Sequence, residues 1–152
     1  MSAVANSDFA VVQEYRLGEF LISTDRNRLN LDLVHDLLTN CYWAKGIPRE
    51  VVARSIEHSL CFGIYDGDAR QVGFARVVTD FATIAYVGDV FVLESHRARG
   101  LSKWLMECIT RHPALQNLRR WILLNPRRAS TLFAVWFYSL EGSGAIYGAS
   151  PA

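Results

Sequence analysis

Apolar positions recur along this chain with two periods, and the changes of period mark its elements. The short run Phe20-Leu21-Ile22-Ser23 predicts a strand after a frayed or disordered start. Leu31, Val34, Leu37 and Leu38 fall at helical spacing and predict a helix over 31–39. Residues 41–47 read as a loop. Pro48 then opens a second helix that carries Val51, Val52, Ser55, Ile56 and Ser59, since proline is tolerated in a first turn. An apolar run over 60–65, the turn Asp66-Gly67-Asp68 and a run over 71–78 predict a hairpin. A further strand begins at Phe81 or Ile84 and ends at Leu93. A helix over 102–111 follows, with Leu101, Leu105 and Ile109 on its buried face, and 119–124 reads as another strand. The order is strand, two helices, three strands, helix, strand, with no internal repeat or low-complexity linker.

The stretch Arg97-Ala98-Arg99-Gly100-Leu101-Ser102 joins the apolar run Tyr86-Val87-Gly88-Asp89-Val90-Phe91-Val92-Leu93 to the helix that follows. A strand that leads through a basic, glycine-containing turn into a helix makes an anion site. The first-turn N–H groups have no helical partners, and the helix dipole places partial positive charge among them. Gly100 removes a side chain where a phosphate would approach, and Arg97 and Arg99 bring charge. A solvated arginine-rich turn is the competing reading.

Composition narrows the function classes. With 152 residues, 51% apolar and 20% charged, the chain suits one globular domain over 1–152. A net charge of +1 argues against a dedicated nucleic-acid binder, and the pairs Arg119-Arg120 and Arg127-Arg128 read as solvated surface. Cys41, Cys61 and Cys108 have neither metal-ligand spacing nor the even number of a disulfide framework. The four histidines are dispersed, so no metal site is expected. Residues 1–8 lack the basic flank and apolar core of a secretory signal, and no apolar stretch approaches a membrane span. The expectation is a reduced, cytoplasmic setting with neither membrane nor nucleic acid as partner.

The spacing Arg97-x-x-Gly100-x-Ser102, set between a strand and an amphipathic helix, resembles the pyrophosphate loop of the GNAT family of N-acetyltransferases. Ser102 stands where that family has glycine or alanine, but it is small. The element order agrees with the family over 20–124. The resemblance implies an α/β (α+β) domain with a mixed, mostly antiparallel twisted sheet flanked by helices. It also implies acetyl-CoA as co-substrate, a small-molecule or peptide amine as acceptor, and a homodimer in many members. Carried onto this chain, the pyrophosphate falls on Arg97, Ala98, Arg99, Gly100, Leu101, Ser102 and Lys103. The pantetheine arm pairs with the backbone of Val90, Phe91 and Val92, and Asn125 completes the cofactor set. Gly88 lies in the strand that bulges in the family, and an interior glycine marks a bulge or a close approach. The segment Tyr42-Trp43-Ala44-Lys45-Gly46-Ile47-Pro48 resembles an acceptor-side loop of a bacterial subset, which makes Tyr42 and Trp43 substrate contacts; both could equally cover the core. Asp89 is the carboxylate nearest the expected reaction centre and the candidate base, with Glu94 the alternative. Strand alternation puts Asp89 on one face with Val87 and Phe91.

The tail over 125–152 departs from the family. The family's catalytic tyrosine would fall near Leu132, and Tyr138 is the nearest substitute acid. Residues 142–152 are mostly small and do not read as a buried final strand. Displaced by one nucleotide, permitted codons from Arg127 onward can encode Asp-Ala-His-x-Leu-Tyr-x-Pro-Phe-Gly-Phe-Thr-Pro-Leu, which resembles a family C-terminus. The tail is therefore read as a family sequence in a shifted frame, which the gene's nucleotides test. An N-acetyltransferase is the expected function. A non-catalytic acyl-CoA-binding domain and an inactive remnant are the alternatives that the tail raises.

Overall fold

The computed structural model describes residues 11–41 and 43–123, together with a two-residue strand near the end of the chain. The strands are β1 (Glu14–Leu17), β2 (Phe20–Ser23), β3 (Leu60–Tyr65), β4 (Gln71–Thr79), β5 (Ile84–Val92), β6 (Arg120–Leu123) and β7 (Ile146–Tyr147). The α-helices are α1 (Leu31–Thr39), α2 (Arg49–Glu57) and α3 (Leu101–Arg111). All seven strands form one sheet in chain order. Neighbours from β1 to β5 are antiparallel, whereas β5 with β6 and β6 with β7 are parallel. The mixed, mostly antiparallel sheet flanked by helices is the architecture that the family resemblance implies.

Two apolar layers cover the two faces of the sheet. Leu101, Leu105 and Ile109 of α3 pack with Phe62 and Ile64 of β3, Val77 of β4 and Val87 of β5. On the other face, Val34 and Leu38 of α1 and Val52 and Ile56 of α2 pack with Cys61 of β3 and Phe74 of β4. Each helix presents its apolar stripe at spacings of three or four residues to one of these layers. The Asn30 side chain caps α1 by accepting from the Leu33 N–H at 3.1 Å.

Several boundaries differ from the sequence expectation, each for a local reason. Residues before Phe20 are not wholly frayed. Gly18, at φ +58, turns the chain so that β1 pairs with β2. Pro48 is the N-cap of α2, with ψ 148, so the helix starts one residue later, and it ends at Glu57. Ser59, expected on α2, instead precedes β3. Helix α3 begins at Leu101, one residue earlier than expected. The tail does contribute a strand: β7 pairs with β6 through Trp121↔Ile146 and Ile122↔Tyr147.

Candidate active site

The β5 strand is built irregularly where the sequence drew attention. Arg76↔Gly88 and Phe74↔Phe91 are paired, so Ala75 of β4 stands opposite both Asp89 and Val90. That is a β-bulge, with one extra residue on β5. Asp89 takes the left-handed conformation, at φ +54, which a non-glycine residue adopts at a cost of roughly 1–2 kcal/mol. Gly88 lies beside the bulge and serves a different need. A Cβ there would stand 2.7 Å from the Tyr86 ring, so the glycine makes room for the close approach of that ring.

The bulge changes which side chains share a face. Val87, Val90 and Val92 pack on the α3 side, whereas Phe91 packs on the α1–α2 side. Asp89 turns to that same α1–α2 side. It therefore shares a face with Phe91 but not with Val87, because the extra residue breaks the alternation on which the expectation rested.

Asp89 is held on two sides. Arg76 Nε donates to its Oδ2 at 2.8 Å, with the side chains only 20% and 15% exposed, which sets this pair apart from a surface ion pair. Trp43 Nε1 donates to Oδ1 at 3.3 Å. Two residues singled out separately in the sequence, Trp43 and Asp89, thus meet across 46 positions. Arg76 was not anticipated. A charged residue between Ala75 and Val77, inside a strand otherwise buried around it, was the signal available. Its guanidinium also reaches Ser59 Oγ at 3.3 Å, and Arg26 donates to the Ser59 carbonyl at 3.0 Å.

The loop bearing Trp43 is set by its own hydrogen bonds. Gly46, at φ +77, donates to the Thr39 carbonyl, Ala44 to Cys41, and Ile47 to Ala44, while His35 Nε2 lies 3.0 Å from the Ile47 carbonyl. The ring of Trp43 is 45% exposed and borders solvent beside Asp89. Cys41 lies close enough to Asp89 to feel it. Burial first, and then that carboxylate, raise the thiol above its ordinary range, so it is no thiolate nucleophile. Burial also pushes Cys61 up to about 12.

The other half of the site lies at the end of β5. Among the described residues, β5 pairs with β6 from Ile84↔Arg120 to Val87↔Leu123, the last described position of that segment, and β4 stays beside β5 as far as Gly73↔Val92. Among the described residues, the β6-side edge of β5 from Gly88 onward has no strand partner. A turn at Glu94–His96 follows, and Arg97 Nε donates back to the Val92 carbonyl at 3.3 Å. Ala98, at φ +63, and Gly100, at φ +75, then swing the chain into α3. Gly100 is the N-cap of α3 and supplies no side-chain cap, and the first turn of the helix carries no acidic residue. A Cβ at Gly100 would meet no atom within 4 Å. The glycine is demanded by its φ, and among the described residues the space beside its Cα is open, next to exposed Arg97, Arg99 and Lys103.

A cavity of about 180 Å³ lined by Ser59, Leu60, Val77 and Thr79 sits at the opposite end of the sheet from this loop. The antiparallel register puts Thr79 beside Ala85 and Gly73 beside Val92, so that cavity is remote from the Gly100 turn. Tyr42 and Asn125 lie outside the described residues, as do Leu132, Tyr138 and the rest of the tail apart from β7. Among the described residues, no group of three His, Cys, Asp or Glu side chains could hold a metal, and no helix is long and apolar enough to cross a membrane.

A bulged strand that runs through a glycine turn into a helix N-terminus is the layout of an acyltransferase of the GNAT type. A sequence model of the acetyltransferase (GNAT) domain matches residues 57–139, beyond the 124 at which the resemblance was expected to end. A protein of Gibberella zeae assigned as an acetyltransferase is 30% identical over 134 residues, covering 74% of this chain and 75% of its own. The crystal structure of a protein from Xanthomonas campestris pv. campestris, assigned to the GNAT acetyltransferases, is 44% identical. It superposes with a TM-score of 0.76 over 90% of this chain and 96% of that one. A GNAT family acetyltransferase from Elizabethkingia anophelis, with acetyl-CoA bound, shares the fold with a TM-score of 0.51 at 11% identity, over 86% of this chain and 73% of that one. The chain belongs to the GNAT acetyltransferase family.

Proposed function

We propose that this chain transfers an acetyl group from acetyl-CoA to a primary amine of a small molecule or peptide by direct attack. The observation that carries this reading is the open space beside the Gly100 Cα, at the N-terminus of α3, next to Arg99 and Lys103. In this reading the backbone N–H groups of 99–103 hold the pyrophosphate, and Arg97 braces the loop against β5. The backbone edge of Val90, Phe91 and Val92 takes the pantetheine as an added strand. A GNAT acetyltransferase of the same fold binds acetyl-CoA, which supports acetyl-CoA as the co-substrate. Acetyl-CoA bound there supplies the thioester whose acyl carbon is attacked.

The acceptor approaches from the α1–α2 side, where Trp43 gives an apolar wall and Asp89 a carboxylate. An amine must be neutral to attack. Asp89 takes its proton through the Oδ1 edge, while Arg76 holds Oδ2. The proton that the amine gives up balances the one that the leaving thiolate gains. A cytoplasmic setting, argued from the three scattered cysteines, and a homodimer, from the family resemblance alone, complete the reading.

Release of free thiol from acetyl-CoA, measured with a panel of primary amines, tests the proposal. Turnover with at least one amine is expected, and Asp89→Asn should lower kcat by about 100-fold at saturating acetyl-CoA. Acetyl-CoA binding without transfer to any amine would select the acyl-CoA-binding alternative, and unaltered turnover in Asp89→Asn would remove that residue from the chemistry.

A further inference from the structure

We propose that Arg76 is a positioning residue that holds the β5 bulge in register and joins it to the acceptor-side loop. The inference rests on the function proposed above and extends the part of Arg76 beyond its hold on Asp89 Oδ2. Asp89 occupies a left-handed position that aspartate tolerates less well than glycine, and the bulge exists only while the residue stays there. Its carboxylate is largely buried, and the guanidinium at 2.8 Å is its closest partner. Removal of that guanidinium leaves a desolvated carboxylate with the weaker 3.3 Å bond from Trp43. The strand relieves this by turning Asp89 outward.

The consequence follows from strand geometry. One extra residue in β5 is what places Val90 and Val92 on the α3 side and Phe91 against Phe74, with ring centroids 5.7 Å apart. If the bulge is lost and the pairing beyond it slips by one residue, every side chain beyond it changes face, and the backbone edge of Val90, Phe91 and Val92 is re-aimed. Arg76 is also fixed from behind, since its Nη1 donates to Ser59 Oγ at 3.3 Å and Arg26 holds the Ser59 carbonyl. The chain Arg26–Ser59–Arg76–Asp89–Trp43 thus runs across β3, β4 and β5 into the loop after α1. One ion pair sets both the cofactor-pairing edge and the wall that the acceptor meets.

The test compares wild type, Arg76→Ala, Arg76→Lys and the double variant Arg76→Ala/Asp89→Gly by two readouts. Amide hydrogen exchange on 90–92 reports the bulge directly. Calorimetric titration with acetyl-CoA reports the cofactor edge. Arg76→Ala is expected to speed exchange at these amides and to weaken acetyl-CoA on the order of 10-fold to 100-fold. Arg76→Lys keeps a charge beside Asp89 but loses the second contact, and should fall between. The double variant is the decisive arm, because glycine takes positive φ without help and leaves no buried carboxylate. It should regain both protection and affinity, which a general loss of packing would not allow. Unchanged exchange in Arg76→Ala, or a double variant no better than Arg76→Ala, overturns the proposal. If wild type binds no acetyl-CoA while the exchange pattern follows expectation, the clamp stands and the acetyl-transfer reading falls.

Discussion

His112 is wholly buried, and its Nδ1 accepts the Ala114 N–H at 3.0 Å, so its proton is assigned to Nε2. Nε2 has no hydrogen-bond partner among the described residues, and the ring lies edge-on to Phe62 with centroids 5.8 Å apart. Burial lowers the pKa of this imidazole from the ordinary 6.5, because the charged form would stand unsolvated in the core. The unfolded chain therefore takes up a proton at higher pH than the folded one. Stability from this residue is complete above about pH 6.5 and is lost as pH falls from there toward the lower folded value. His112→Asn keeps an acceptor for Ala114 but cannot titrate. The thermal midpoint of wild type should fall more steeply than that of the variant between pH 7.5 and about 5.5, and parallel profiles would contradict this. Single residues also show where sequence reading stops. Asp89 could be singled out as the carboxylate in the bulging strand, but its face could not be read, because alternation assumes a regular strand. Arg76 matters through a partner 13 positions away, which no local pattern reveals.

Among the elements, α3 ties the proposed cofactor loop to the core. Leu101, Leu105 and Ile109 are at most 2% exposed, and they anchor the helix whose N-terminus carries the loop. Leu105→Ala should cost about 2–5 kcal/mol of stability by chemical denaturation, with an unchanged denaturant slope; a loss under about 1 kcal/mol would mean that the site collapses around the smaller side chain. The same stripe explains why this helix was legible: a run of apolar residues at helical spacing has few alternative uses. Helix α1 and strand β3 were legible to the residue for the same reason. By contrast, β1 carries the burial pattern of an edge strand, with only Tyr15 half-buried, so nothing in its own apolar pattern distinguishes it from a solvated start. It exists because Gly18 permits a tight turn onto β2. The pairing of β7 with β6 is likewise a property of the neighbouring strand more than of the two residues themselves.

At the scale of the molecule, the fold places the two proposed half-sites on one irregular strand. The loop over 97–103 closes its end, and the Trp43 loop approaches its bulge from the α1–α2 side. Membership of the GNAT family was legible because a phosphate loop is local: a strand, a glycine with positive φ and a helix start lie within a dozen residues. The proposed acceptor half was only partly legible, since its residues come from α1's following loop, β4 and β5, far apart in the chain. The central claim is that the turn at Gly100 holds the phosphates of acetyl-CoA, and it is tested most directly by calorimetric titration of the purified chain with acetyl-CoA beside Arg99→Glu and Gly100→Glu variants. The account predicts micromolar binding by wild type, on the order of −8 kcal/mol, and its loss in both variants through charge repulsion at the helix N-terminus. No heat from a folded, monodisperse wild-type sample, or equal affinity in the variants, would contradict it.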